Sequence, residues 1–135
     1  MRAFTIDGPS GSLRAVATDG GRGRPVLFAH AFAGSSAQWA PQLDHLDGSR
    51  TAVAIDFHGH GRSEANRSAR YDIDAFAADL GAAIDGARLD APVIVGHSLG
   101  GAAAIAYAAE RPDRVGGLVL VATPGRLPDE QVISE

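Results

Sequence analysis

The chain has 135 residues, 45% hydrophobic and 21% charged, with a formal net charge of -4. That is the composition of one ordinary globular domain, long enough to build a core. It has no basic run that would suit nucleic acid or a membrane surface, and no stretch near the roughly 20 apolar residues of a membrane span. All 12 basic residues are arginine, which removes lysine-based chemistry. Cysteine is absent, which removes disulfides, thiol nucleophiles and thiolate metal sites. The opening residues lack the apolar run of a signal peptide, so a cytoplasmic location is the expectation.

Residues 3–6 and 13–18 read as short strands, and Gly8-Pro9-Ser10-Gly11 between them is a turn signal, so an antiparallel hairpin is expected. After a Gly-rich turn, Pro25-Val26-Leu27-Phe28-Ala29-His30 is an uninterrupted apolar run, as a strand covered on both faces requires. Ser35 or Ser36 can cap a helix carrying Trp39, Leu43 and Leu46 on one face. Residues 51–56 form the next buried strand, followed by the Gly-rich loop Phe57-His58-Gly59-His60-Gly61-Arg62-Ser63. Asp72 opens a helix with Ile73, Phe76, Ala77, Leu80, Ala83 and Ile84 at helical spacing. Gly81 and Gly86 weaken that helix or let it pack close to the sheet.

The strand Val93-Ile94-Val95 then runs into Gly96-His97-Ser98-Leu99-Gly100, and an alanine-rich helix follows as far as about Arg111, where Pro112 stops it. Residues 118–122 read as the last strand, and the residues beyond it as loop with at most a short helical start. From Pro25 onward strands alternate with helices, which predicts a mostly parallel sheet of about six strands in an α/β three-layer sandwich with right-handed crossovers. The loops at the carboxyl ends of such strands carry the site, and here they begin at His30, Asp56, Ser98 and Thr123.

Gly-x-Ser-x-Gly between a strand and a helix is a nucleophile elbow. A serine at the tip of so tight a turn sits in a strained conformation, and Gly96 and Gly100 remove side chains that would collide there. The hydroxyl of Ser98 is thereby exposed above the sheet, and the helix start turns its free N–H groups towards developing negative charge. A plain Gly-Ser turn is the alternative; the strand before and the helix after favour the elbow.

Four stretches resemble the α/β-hydrolase family in its order and spacing. Residues 30–39, His-Ala-Phe-Ala-Gly-Ser-Ser-Ala-Gln-Trp, are similar to its oxyanion loop, with Ala31 where the family usually has glycine. Residues 56–63 are similar to the loop after its fourth strand, residues 96–101 to its elbow, and residues 118–122 to its sixth strand. The resemblance lies nearest the esterase, enol-lactonase and perhydrolase branch. It implies Ser98 as nucleophile, the backbone N–H groups of Leu99 and Phe32 as oxyanion hole, and hydrolysis of a carboxylic ester or lactone through an acyl-enzyme, with no cofactor. A serine at this position argues against the haloalkane dehalogenase and epoxide hydrolase branches, which place aspartate there. Family members are about twice as long, and their acid and histidine follow the serine, so the chain resembles an N-terminal half whose cap and later strands are absent.

Five histidines are available as a replacement base. His30 ends a strand expected beside the elbow strand and is the candidate; in the family that position usually ties down loop backbone. His97 is expected to point away from the Ser98 hydroxyl, His58 and His60 to hold their Gly-rich loop, and His45 to be solvated. Asp129 or Glu130 stand where some family members place the acid. Asp56-x-His58-x-His60 also admits a metal reading, but the family loop accounts for the same residues without an ion. Neither GxGxxG nor a P-loop is present, so nucleotide binding is poorly supported. The competing expectation is a non-catalytic half-domain or assembly module. Its apolar last strand would be an open edge that pairs with a second copy or a complementary half.

Overall fold

The computed structural model describes residues 1–125. The chain opens with β1 (Arg2–Gly8) and β2 (Gly11–Ala17), paired antiparallel along their whole length from Arg2 opposite Ala17 to Gly8 opposite Gly11. Then follow β3 (Val26–Ala29), α1 (Ala40–Leu46), β4 (Ala52–Ile55), α2 (Ile73–Gly86), β5 (Val93–His97), α3 (Leu99–Glu110) and β6 (Gly117–Val121). The six strands form one sheet in the order β1-β2-β4-β3-β5-β6. Strands β3 to β6 are mutually parallel, and β2 meets β4 antiparallel. The expected α/β sandwich with a mostly parallel six-stranded sheet is thus the observed architecture.

Side-chain alternation along the strands divides the core in two. Leu13, Ala15, Leu27, Ala29, Val53 and Ile55 face α2 and α3, where they pack with Phe76, Leu80, Ile84 and Tyr107. Phe28, Ala52 and Ala54 face the other way, against Trp39 and Leu43. The alanine-rich α3 presents small side chains to the sheet, which lets a helix axis lie close over β3 and β5. Close approach also explains a glycine of α2: a Cβ at Gly86 would meet Ile6 Cγ2 at 2.6 Å.

Two expectations need adjusting. The helix expected after Ser35 starts as a 3₁₀ turn over Ser36–Trp39 before α1 begins, although Ser35 does cap it by accepting the Ala37 N–H at 3.2 Å. Pro41 supplies the reason, because it lacks the N–H that a continuous α-helix would donate to Ala37, and the Ala40 N–H bonds to Ala37 with 3₁₀ spacing instead. At the other end, β6 stops at Val121 because Ala122 turns to φ 46°. Leu118, Val119, Leu120 and Val121 are 38–47% exposed, so both faces of this edge strand are partly open, unlike the fully buried β4.

Candidate active site

Ser98 sits where β5 ends and α3 begins, at φ 51° and ψ -110°. A non-glycine residue held at positive φ in this region is strained, and such strain persists only where the surroundings enforce it. Here the enforcement is visible on three sides. The Ser98 N–H donates to Val121 O at 2.9 Å, tying the turn to the end of β6. A Cβ at Gly96 would meet Gly101 Cα at 2.5 Å, and one at Gly100 would strike the carbonyl groups of Ala29 and His30. The glycines two residues either side of the serine therefore let the helix start press against both β3 and β5. The Ser98 side chain does not cap its own helix, so the hydroxyl is not drawn back into the N-terminal turn. Leu99 is the first residue of α3, and its N–H has no carbonyl four residues back within the helix.

The loop after β3 faces this elbow because β3 lies between β4 and β5. Its shape is set by polar contacts that the sequence reading did not assign. Gln38 Oε1 accepts the Ala31 N–H at 3.1 Å, while Gln38 Nε2 lies 3.1 Å from His97 Nδ1. One side chain thus links the loop to the residue before Ser98. Asp56 accepts the Ser36 N–H at 2.6 Å and the Arg62 N–H at 2.9 Å, so a buried carboxylate at the end of β4 pins this loop to the next one. Ala31 O accepts the Gly34 N–H at 2.9 Å, and Ala33 takes φ 58° to close the turn. Phe32 stands at the tip, 75% exposed, its ring edge-on to His60 with centroids 5.9 Å apart.

The histidines then sort by what their nitrogens do. His30 is fully buried; its Nδ1 lies 2.7 Å from Ala31 O, and its Nε2 accepts the Phe57 N–H at 3.0 Å. Both ring nitrogens are committed to backbone, so the expectation that His30 acts as base is corrected: no lone pair remains to take a proton from Ser98. Burial also holds its pKa below the ordinary histidine value, favouring the neutral ring. His58 is buried against Asp79 of α2, Nδ1 to Oδ2 at 2.6 Å, with Nε2 2.6 Å from Arg70 O. Burial pushes the Asp79 carboxyl up, against the opposing pull of the His58 backbone and ring N–H groups. His60 Nδ1 lies 3.0 Å from His58 O, and its ring packs on His30 and Phe76. His58 and His60 therefore hold their loop, as expected. His45 lies exposed on α1.

Asp56, His58 and His60 engage different partners, and among the described residues no group of three or more His, Asp or Glu is placed to hold a metal ion. Asp129 and Glu130, candidates for the acid, lie outside the described residues. Asp79 and Gln38 are the polar residues that sequence reasoning missed. Asp79 had a signal: three residues after Phe76 and four before Ala83, it falls on the apolar face of its helix. Gln38 had none, since its partners are fixed only by the tertiary fold.

Among the described residues no helix is long and apolar enough to cross a membrane. The chain is 37% identical over 109 residues to the dihydrolipoyllysine-residue acetyltransferase component of the acetoin cleaving system of Cupriavidus necator, covering 81% of this chain and 29% of that protein. It is 34% identical over 128 residues to a serine hydrolase-like protein of Danio rerio, covering 94% and 39% respectively. Among solved structures, the N-acyl homoserine lactonase AidH in complex with N-butanoyl homoserine superposes with a TM-score of 0.84 at 26% identity, over 92% of this chain and 46% of that one. The chain thus spans less than half the length of each of these proteins. A family model described as alpha/beta hydrolase fold matches residues 24–134. With the strand order, the strained serine between β5 and α3 and the loop beside it, this match means that the chain belongs to the α/β-hydrolase fold family.

Proposed function

We propose that this chain carries a serine-dependent hydrolysis centre for carboxylic esters or lactones, with Ser98 as nucleophile. The observation that carries the reading is the backbone of Ser98 at φ 51° between strand and helix, which costs conformational energy of about 1–3 kcal/mol and, among the described residues, is repeated at the start of no other helix. Ser98 Oγ attacks the carbonyl carbon, its proton passes to solvent or a base, the alcohol leaves, and water then cleaves the acyl-serine. The N–H groups of Leu99 and Phe32 receive the oxyanion. The similarity to the lactonase supports the substrate class, and that to the serine hydrolase-like protein supports a serine nucleophile.

With His30 committed to the loop, the reading assigns no base among the described histidines, and slow turnover is expected. In proteases that lack a triad member, an oxyanion hole and binding alone still give roughly 10³ to 10⁴-fold over water. The test is hydrolysis of p-nitrophenyl acetate by the purified chain beside Ser98→Ala. Activity that disappears in the variant supports the reading, and equal rates in both contradict it.

A second reading rests on β6. Its four apolar residues are exposed, and among the described residues no strand pairs with its outer edge, a surface suited to pairing with a second copy of the chain. Light scattering then gives a dimer mass that falls towards the monomer on dilution. A monodisperse monomer at all concentrations contradicts it.

A further inference from the structure

Away from the elbow, a cavity of about 500 Å³ opens beside β2, between the 3₁₀ turn that leads into α1 and the loop after β4. Strands β4 and β3 separate it from β5 and Ser98, and it lies on the sheet face that carries α1. Its floor is apolar, formed by Val16, Leu43 and the aliphatic start of α1. Arg14 and Arg62 line it as well, together with Ser35 and Ser36.

The charge of these two arginines is not neutralised from within. Among the described residues neither Arg14 nor Arg62 has a carboxylate within ion-pair distance, whereas Arg70, Arg111 and Arg114 do. Among the described residues Arg14 Nε is moreover buried without any hydrogen-bond partner, an arrangement that costs desolvation free energy. Asp56, the carboxylate of the lining, is no substitute. It is buried, and its two oxygens already accept the Ser36 and Arg62 N–H groups. The amino group of Met1 at the cavity edge is engaged by Asp19 and Asp47.

We propose that this cavity binds a small organic carboxylate, its two oxygens held by the Arg14 and Arg62 guanidiniums and its aliphatic tail resting on Val16 and Leu43. Guanidinium matches a carboxylate bidentately. A cavity of this size takes a small molecule, and the apolar floor selects a ligand with a tail over an inorganic anion. The site is separate from the proposed hydrolysis centre and does not depend on it. Its nearest link to that centre is the Ser36–Asp56 hydrogen bond in its wall, which anchors the loop bearing Phe32.

The test is an amide-resonance titration of the chain with sodium hexanoate, with 1-hexanol and sodium acetate in parallel. Saturable shifts at residues 14–16, 35–43 and 61–63 are expected, with weaker binding of acetate and none of hexanol at that site. Arg62→Gln and Arg14→Gln should each weaken hexanoate at least tenfold while the far-ultraviolet circular dichroism and Tm stay unchanged. Arg62 is exposed, so its variant remains informative if Arg14→Gln fails to fold. Absence of saturation, hexanol binding as well as hexanoate, unchanged affinity in Arg62→Gln, or shifts confined to the Phe32 and Ser98 region would each overturn the proposal.

Discussion

His30 shows how one residue can be placed correctly by sequence while its role is left open between a base and a loop anchor. The pattern put it at the end of β3 beside the elbow strand, and it is there. Its role depends on the Phe57 N–H that meets Nε2, a contact between two loops that no local pattern encodes. This contact has a consequence for acid stability. The folded-state pKa of His30 lies below the ordinary 6.5, chiefly because of burial, so the unfolded chain binds the proton more readily. The contribution of His30 to stability is therefore complete above pH 6.5 and lost as the pH falls through the folded value. Denaturant unfolding between pH 7.5 and 5 should show that loss, and His30→Gln, which keeps an acceptor for Phe57 but cannot titrate, should lose less over the same range. Asp79 acts in the opposite sense, since burial raises its pKa, and the difference between wild type and variant isolates His30. Parallel pH curves for the two proteins would contradict this assignment.

At the scale of elements, α2 and the loop after β4 are joined by the His58–Asp79 pair rather than by apolar packing alone. Oδ2 of Asp79 accepts both the backbone and the ring N–H of His58, and both side chains are fully buried. Removing Asp79 leaves the His58 donors without their acceptor in the interior. Asp79→Ala is expected to cost about 3–5 kcal/mol, as for other broken buried pairs, and Asp79→Asn less, because the amide oxygen still accepts one N–H. Urea denaturation measures both, and equal, small losses would show that the pair adds nothing to the joint. Most of α2 was legible in advance: the Asp72 cap accepts the Ala75 N–H, and Phe76, Ala77, Leu80, Ala83 and Ile84 are buried as their spacing implied. Asp79 was passed over because apolar periodicity counts the residues that face the core and has no place for a charged one among them. The start of α1 escaped for a different reason: the 3₁₀ turn follows from the missing N–H of Pro41, a backbone effect that face-counting does not register.

For the whole molecule, alternating strands and helices were enough to give the parallel sheet, because each crossover helix must return the chain to a neighbouring strand with one hand. They did not give the place of the β1–β2 hairpin, which adds antiparallel to β4 through contacts such as Ala15 opposite Ile55, distant in sequence. The site inherits this division. The elbow was legible because strand, Gly-x-Ser-x-Gly and helix are contiguous, whereas the Gln38 link and the Asp56 anchor join segments that only the assembled sheet brings together. The parallel core places a strained serine beside the Phe32 loop, and the central claim is that this serine is a working nucleophile. The most direct measurement is intact and peptide mass spectrometry after treatment with a fluorophosphonate, which loses fluoride as a serine oxygen bonds to phosphorus. A single adduct is expected, on the peptide containing Ser98, and it is absent in Ser98→Ala. No adduct on the folded chain, or an adduct on another residue that persists in Ser98→Ala, would contradict it.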